Sequence, residues 1–361
     1  MNYKRYTLAD LVMIKYGKNQ KKVVSDSGKY PIYGTGGLMG FATECLYDRP
    51  SVLIGRKGTI DKVKYVDHPF WTVDTLFYTV VNTELVIPKY LYYMMSLIDL
   101  RNYNEGTTIP SLRTETLNRL EFDIPSLEEQ ERVLSCLNPI DERIKLNNSI
   151  NNNLQQQAQA IYQKMFVENA SSDWKEGSLS DVADITMGQS PSGSSYNEDG
   201  IGTTFFQGRA EFGFRFPSVR LFTTEPKRMA CANDTLMSVR APVGDLNVAH
   251  TDCCIGRGLA AIHSKTNHQS FVHYTMFSLK KQLDVFNGEG TVFGSINRNS
   301  LNEMSIIIPS DEALDEFESL VSPMDKMIRN NYDEICRLEA IRDSLLPKLM
   351  SGEIDFSNIN I

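Results

Sequence analysis

Two short segments combine side chains that can bind a phosphate or the edge of a nucleic-acid base. Arg56-Lys57-Gly58-Thr59 follows a strand-like run and places two cations beside a backbone that a ligand can approach closely. Arg can bind guanine through two hydrogen bonds, whereas Lys pairs with phosphate. In the second half Arg240 is taken as the counterpart of Arg56, and Ala241 then replaces Lys57. The residues predicted here to make contacts are Arg56, Lys57, Thr59 and Arg240. A solvated turn or an internal ion pair is the alternative interpretation.

Two later segments, 106–113 and 290–298, are rich in hydroxyl groups and glycine and also carry a cation. Their backbone N–H and hydroxyl groups can donate hydrogen bonds to phosphates. A packed connector before the following strand is the alternative. The residues predicted here to make contacts are Thr107, Thr108, Ser111, Arg113, Thr291, Ser295 and Arg298.

The second half carries 13 more residues than the first, placed by the sequence around 189–209. Gln and Arg side chains there could read base edges in the major groove, and an ordinary surface loop is the alternative. The residues predicted in this stretch are Gln189, Gln207 and Arg209.

Several kinds of catalytic site find no support in the sequence. The five histidines form no H-E-x-x-H motif, and none of the six cysteines forms C-x-x-C, so we predict no metal site and unpaired thiols in a reduced cytoplasm. The one Asn-Pro pair, Asn138-Pro139, is followed by Ile140 rather than by the Pro and aromatic residue that amino-methyltransferases use. No catalytic residue is predicted.

The net charge of −8 is unevenly distributed over the 361 residues. Residues 1–126 hold 16 basic and 13 acidic side chains, whereas residues 311–361 hold 5 basic and 12 acidic ones. The globular parts are therefore near neutral, which leaves room for a surface that faces phosphates. We find no signal peptide and no apolar run long enough to span a membrane, so a cytoplasmic protein is expected.

The chain is an internal duplication. An offset of 184 aligns Gly106-Thr107 with Gly290-Thr291 and Ile124-Pro125-Ser126 with Ile308-Pro309-Ser310, and it holds into the last segment. An offset of 171 aligns Gly17 with Gly188. The offset that aligns the two halves varies in the early part of each half and is constant in the late part. This pattern suggests diverged specificity on a preserved scaffold.

Each half ends in a long helix with an apolar stripe that repeats every four and three residues, as in a coiled coil. Ser126 and Glu129 form a capping box at the first start. Two such helices most simply pack on each other, antiparallel if the halves are related by a pseudo-two-fold. The stretch 139–166 would then span roughly 42 Å, at about 1.5 Å per residue. The seam residues that we single out are Ile140, Ile144, Asn147, Leu154, Met324, Ile328, Asn331 and Leu338.

Two further features of the long helices concern their prolines and their seam asparagines. Pro139 and Pro323 interrupt both copies at one place, so each either starts a new helical section or kinks the helix. Asn147 and Asn331 occupy equivalent seam positions, where a buried Asn can fix the register.

Hydrophobic runs predict strands over 50–55, 75–81 and 120–125, and again over 234–239, 259–262 and 304–308. Residues 89–100 and 271–283 read as helices. We therefore expect an α+β fold, with two mixed α/β domains separated by two long helices that pack as an antiparallel coiled coil. The expected boundaries are 1–126 and 171–310 for the domains, and 127–170 and 311–361 for the helices.

The sequence resembles the specificity (S) subunit of type I restriction–modification systems over essentially its whole length. The matching segments are Tyr30 to Gly34, Ser51 to Ile60, Phe70 to Tyr78, Gly106 to Leu112, Val239 to Asn247 and Leu346 to Ile354.

The resemblance implies a non-catalytic subunit with two target recognition domains, each reading one half of a split DNA site. It also implies helices that dock methyltransferase subunits and, through them, a translocating nuclease. S-adenosylmethionine, ATP and Mg are then expected in the partner subunits and no cofactor in this chain. A coiled-coil scaffold or DNA-binding protein without a restriction role, and half of a fused restriction–methylation enzyme, are the alternatives.

Overall fold

The structure is a computed structural model that describes residues 3–288 and 294–354. Its described residues form two compact units. The first unit comprises the chain up to Leu146 together with the residues from Glu334 onward, and the second is Asn147–Asp333.

The first half of the chain builds one antiparallel four-stranded sheet, one three-stranded sheet and one pair of short strands. Its strands are β1 (Lys4–Thr7), β2 (Val12–Tyr16), β3 (Tyr30–Gly34), β4 (Gly37–Ala42), β5 (Ser51–Gly55), β6 (Val63–Val66), β7 (Trp71–Thr72), β8 (Leu76–Val81) and β9 (Glu121–Ile124). Its helices are α1 (Leu8–Leu11), α2 (Pro88–Ser96), α3 (Thr114–Asn118) and α4 (Leu127–Tyr162). The strand orders are β2-β8-β5-β6, β4-β3-β7 and β1-β9.

The second half repeats this plan with a larger second sheet. Its strands are β10 (Lys175–Ser178), β11 (Ala183–Met187), β12 (Tyr196–Asn197), β13 (Thr203–Phe206), β14 (Leu221–Thr223), β15 (Met229–Ala230), β16 (Thr235–Ser238), β17 (Leu246–Val248), β18 (Cys253–Ile255), β19 (Leu259–Ser264) and β20 (Ser305–Ile308). Its helices are α5 (Leu179–Val182), α6 (Gln269–Ser278), α7 (Lys280–Asp284), α8 (Arg298–Asn302) and α9 (Asp311–Met350). The strand orders are β11-β19-β16-β17, β12-β14-β13-β18-β15 and β10-β20.

The duplication and the α+β fold class are confirmed by this shared topology. β11, β19, β16 and β17 follow the same order as β2, β8, β5 and β6, and all of their pairings are antiparallel. Each second sheet contains one parallel pair, β3 with β7 and β13 with β18. The predicted strands appear within one or two residues of their expected limits.

Local hydrogen bonds start the helices where the sequence predicts. The backbone N–H of Ser126 donates to Glu129 Oε2 at 3.2 Å, and the backbone N–H of Glu129 donates to Ser126 Oγ at 3.3 Å. This capping box occupies donors that the first turn of α4 would otherwise leave unpaired.

The two long helices run antiparallel within each unit. In the first unit, Asp141 faces Arg342 and Arg143 binds Glu334, so residue numbers rise along α4 as they fall along α9. In the second unit, Asn151 bonds with Asn331 while the rings of Tyr162 and Phe317 lie 5.9 Å apart between centroids, so these helices also run in opposite directions.

The seam residues named from the heptad pattern lie on the packed side of the helices. Each of the eight is buried or half-buried. Asn331 donates its amide to Asn151 Oδ1 at 2.8 Å, so its hydrogen-bonded neighbour across the seam is Asn151. A partly buried Asn pair of this kind penalises a shift of the two helices along each other.

Neither proline starts a new helical section, because α4 continues through Pro139 and α9 through Pro323. The expectation of a new helical section at each proline is therefore wrong. A proline removes one backbone donor from the helix, and in these long helices the packing on either side outweighs that loss.

Each unit has its own core, to which both long helices contribute. In the first unit Val133 and Leu137 of α4 and Leu346 and Leu349 of α9 are buried against the sheet and α2. In the second unit Tyr162 and Phe166 pack with Phe271 and Phe317, with ring centroids 5.0 to 6.0 Å apart. The helices are thus part of both cores and hold the sheets in place.

Candidate nucleic-acid interface

Two of the predicted contact segments come together at the end of the central strand of each unit. In the first unit Lys57 forms an isolated antiparallel bridge with Ser111, and the Gly58 N–H donates to the Pro110 carbonyl at 2.9 Å. In the second unit Arg240 forms the same bridge with Ser295. Segments that are far apart in sequence therefore share one small surface.

The backbone bonds correct the alignment of the two halves. Leu112 N–H donates to the Arg56 carbonyl at 2.9 Å, and Ile296 N–H donates to the Val239 carbonyl at 3.1 Å. Arg56 therefore corresponds to Val239, not to Arg240, and the true counterpart of Arg240 is Lys57. The offset is 183 in these strands and 184 only afterwards, a change that adjacent cations conceal in the sequence.

Arg56 has internal partners. Its Nη1 donates to the Asp74 carbonyl at 2.7 Å, and its guanidinium carbon lies 5.3 Å from the centre of the Tyr16 ring. These contacts hold the turn that precedes β8, while the neighbouring Lys57 and Thr59 are exposed. A DNA contact by Arg56 remains a prediction, and Lys57 is the more accessible cation.

The hydroxyl-rich loop of the first unit is folded on Asn104. The Asn104 Oδ1 accepts hydrogen bonds from the backbone N–H groups of Gly106 and Ser111, both at 2.9 Å. Thr107 and Thr108 are exposed on this loop, and the Arg113 Nε lies 3.2 Å from Glu105 Oε2. The hydroxyl groups thus face solvent on a loop with a defined backbone.

In the corresponding part of the second unit Ser295 and Arg298 are exposed, and Arg298 is the first residue of α8. The side chain of Asn297 caps that helix by accepting from Ser300 N–H at 2.9 Å. The predicted contact Thr291 lies outside the described residues.

Four positions can be equated between the units from their backbone bonds. Lys18 N–H donates to the Thr72 carbonyl, as Gln189 N–H donates to the Ile255 carbonyl. Val73 N–H donates to the Tyr33 carbonyl, as Gly256 N–H donates to the Phe206 carbonyl. The equivalent pairs that follow are Lys18 with Gln189, Gly34 with Gln207, Lys57 with Arg240, and Asp74 with Arg257.

Arg257 is a candidate that the sequence analysis missed. It lies between Gly256 and Gly258, where Cβ atoms would meet the backbone of Gln207 at 2.8 and 2.9 Å. Both glycines are therefore needed for the close approach of this turn to Gln207. A cation enclosed by two such glycines after a strand is the signal that could have indicated it.

The second unit has an open groove of about 260 Å³ at this surface. The residues that line it include Ser190, Gln207, Arg240 and Arg257. Arg209 also lines it but forms an ion pair with Asp245. Of the predicted residues in this stretch, Gln207 and Arg209 therefore reach the groove, while Gln189 is exposed beside it.

The extra residues of the second half lie later than the sequence suggests. The offset is 171 at Gly188 and only 173 at Phe206, which corresponds to Tyr33, but it is 183 at Arg240. Most of the insertion therefore falls after Phe206 and includes the buried Arg215 and Phe216. Its placement around 189–209 is wrong, because the sequence offered no anchor between Gly188 and Arg240.

Across residues 3–288 and 294–354 no group of three or more His, Cys, Asp or Glu side chains could hold a metal ion. All six cysteines are free thiols. In the same described ranges, no helix combines the length and the apolar character that crossing a bilayer requires.

Comparison with known proteins assigns a family to this geometry. The family model described as the type I restriction modification DNA specificity domain matches the chain twice, over residues 1–156 and 171–335. The Methanocaldococcus jannaschii protein named as the putative MjaX type I restriction enzyme specificity subunit is 29% identical over 296 residues, which cover 76% of this chain and 69% of that protein. The MjaIX specificity subunit of the same organism is 23% identical over 346 residues, which cover 86% and 78%.

A solved structure shares the fold. The S subunit of a type I restriction–modification system from M. genitalium aligns with a TM-score of 0.60 at 18% identity, over 97% of this chain and 96% of that one. At this identity the likeness concerns the architecture alone.

Proposed function

The chain belongs to the family of type I restriction–modification DNA specificity subunits, and from that premise we propose that each of its two units binds one half of a split DNA target. The observation that carries this proposal is the pair of equivalent surfaces. Both units use the same backbone bonds at the end of the central strand but expose different side chains there. A preserved scaffold with exchanged surface residues is what two different half-sites require.

The sequence-dependent contacts are assigned to groups that face solvent. Lys57 and Thr59 with the loop around Thr107 serve the first unit, and Gln207 with Arg240 serves the second. Phosphate contacts by lysine and hydroxyl groups would position the duplex, while Arg and Gln read base edges.

The long helices serve as spacer and as docking site for methyltransferase subunits, which in turn bring a nuclease and translocase subunit. Large apolar side chains remain exposed on the helical segments of each unit, with Leu146 and Ile341 in the first and Leu320 and Met327 in the second. Exposed apolar groups on otherwise polar helices favour a protein partner.

Methyl transfer to adenine and DNA cleavage are assigned to those partners, together with the S-adenosylmethionine, ATP and Mg that they need. The single Asn-Pro pair of this chain, Asn138-Pro139, lies inside the helix α4. A residue pair in that position has its backbone engaged in a helix and cannot form a catalytic loop over a flipped base.

The test is methylation in cells that carry the full chain and its methyltransferase subunits, followed by sequencing of the modified adenines. We expect one split motif, and we expect that replacing residues 171–310 with those of another family member changes one half of it. Methylation by this chain without partners, or modification with no sequence preference, would overturn the proposal.

A further inference from the structure

The side chains that line the groove of the second unit include two guanidinium groups and an amide. Arg240, Arg257 and Gln207 all line it and all are exposed. Among the described residues no carboxylate pairs with Arg240 or Arg257. Arg209 on the same groove differs, since Asp245 neutralises it.

The backbone beneath these side chains is held by hydrogen bonds on several sides. Gly256 N–H donates to the Phe206 carbonyl at 2.8 Å, and Gly258 N–H donates to the Gln207 carbonyl at 3.3 Å. The Arg257 N–H donates to Ser190 Oγ at 3.3 Å. The positions from which the side chains project are therefore ordered before any ligand binds, which lowers the entropy lost on binding.

The first unit offers a different set at the equivalent positions. Lys57 corresponds to Arg240, Asp74 to Arg257, and Gly34 to Gln207. Lys cannot form the planar two-bond contact of a guanidinium, and Asp would repel the acceptor edge of guanine. The equivalent surface of the first unit thus presents one lysine and one carboxylate where the second unit presents two guanidinium groups.

We propose that Arg240 and Arg257 each bind the O6 and N7 atoms of a guanine in the major groove of the second half-site. This inference rests on the proposed function and names the base that one surface reads. Two cations that pair with no carboxylate in the described part of the chain favour an acceptor-rich edge, and guanine presents two acceptors there. The first half-site is read without a guanidinium at either position.

The test compares Arg240→Lys and Arg257→Lys with the unaltered chain, each assembled with its methyltransferase subunits and selected against random-sequence DNA duplexes. Each variant keeps its charge and loses the planar pair of donors. We expect preference for one guanine in the second half-site to fall by about 5- to 150-fold in each variant. Preferences in the first half-site should be unchanged.

Arg119→Lys is the matched control, because Arg119 is an exposed arginine at the end of α3 in the first unit and is not among the residues that line the groove. It should leave every base preference as it is. A second measurement replaces the affected guanine with 7-deazaguanine, which lacks the N7 acceptor. The unaltered chain should then lose several-fold in affinity for that duplex, and the corresponding Lys variant should lose little.

The outcomes separate two failures. If the unaltered chain selects no split motif, the proposed function itself fails. If it selects one and both Lys variants keep all preferences of the second half-site, only the guanine assignment fails. A uniform loss of affinity on every sequence would indicate phosphate contacts and would also overturn the assignment.

Discussion

Each unit has an equivalent aspartate on one of its long helices, and different cations bind that aspartate in the two units. Asp141 in the first unit and Asp325 in the second are equivalent under the offset of 184, and each accepts a hydrogen bond from a buried tyrosine of the neighbouring helix. The cations differ. Asp141 lies 3.1 Å from Lys89 Nζ and 3.4 Å from Arg342 Nη1, whose side chains are 20% and 25% exposed.

Asp325 is bound instead by Arg215 at 2.5 Å, and the Arg215 side chain is only 6% exposed. Arg215 comes from the segment that is longer in the second unit, and it also donates to His273 Nε2 at 2.5 Å. Both units thus have the aspartate acceptor, but the cation that pairs with it comes from a different part of the chain in each unit. In the second unit the variable segment is tied directly to the helix that we assign to partner docking.

The largest expected effect is that of Arg215→Ala. Removal of the cation leaves Asp325 partly buried without its ion pair, which costs about 3 to 5 kcal/mol for pairs of this kind. Hydrogen exchange should show the loss in the second unit and spare the first. Arg228→Ala is the control, because Arg228 is exposed in the same unit and its removal should cost less than about 0.5 kcal/mol. Equal protection in Arg215→Ala and the unaltered chain would contradict the comparison.

Local pattern explains which parts of the fold could be predicted. Continuous apolar runs indicate β5 and β8, and a heptad stripe indicates α4 and α9. The pairing of β1 with β9 joins Lys4 to Ile124, and no local signal specifies a partner so distant in sequence. The small second sheets were missed for the same reason, since their strands are short and pair across long loops.

Two matched variants, Tyr93→Phe and Tyr274→Phe, test the part that both units share. Burial is the main cause that raises the pKa of both hydroxyl groups, so each stays protonated and donates. Loss of a hydrogen bond to a charged group costs about 1.5 to 3 kcal/mol. We expect a similar fall in unfolding free energy, measured by urea titration, from either change. A loss from only one of them would show that the shared acceptor is not equally used.

The site was predictable in type more than in position. Cations beside glycine indicated Lys57, and the alignment of the two halves indicated Arg240, but the one-residue change in offset paired Arg240 with the wrong partner. Arg257 reaches the groove only because Gly256 packs on Gln207, which belongs to a different strand connection. Contacts of that range depend on the folded sheet, and one sequence by itself does not contain them.

The pH dependence of stability should also distinguish the units. His273 is buried, and burial together with the nearby Arg215 lowers its pKa well below 6.5. Arg215 can only donate to Nε2, so the imidazole is neutral, and its Nδ1 lies 3.1 Å from Thr235 Oγ1. Below pH 6.5 the unfolded chain binds the proton that the folded one refuses, so stability is lost as the pH falls.

The loss from this group is at most about 1.4 kcal/mol at pH 5.5. Hydrogen exchange across pH 5.5 to 7.5 should show it in the second unit. His273→Gln removes the titrating group and should flatten that dependence, whatever it does to stability at pH 7.5. An unchanged slope in His273→Gln would rule out this histidine as the cause.

Lys89→Met should have the smallest effect, because the first unit does not depend on one cation. After the change Asp141 still accepts from Tyr93 and still faces Arg342. A partly exposed ion pair contributes about 0.2 to 1 kcal/mol, and Met keeps most of the aliphatic stem. The free energy of unfolding, measured by urea titration, should therefore be clearly higher for Lys89→Met than for Arg215→Ala. If both cost the same, the two aspartates depend equally on their cations, and the difference between the units lies in sequence alone.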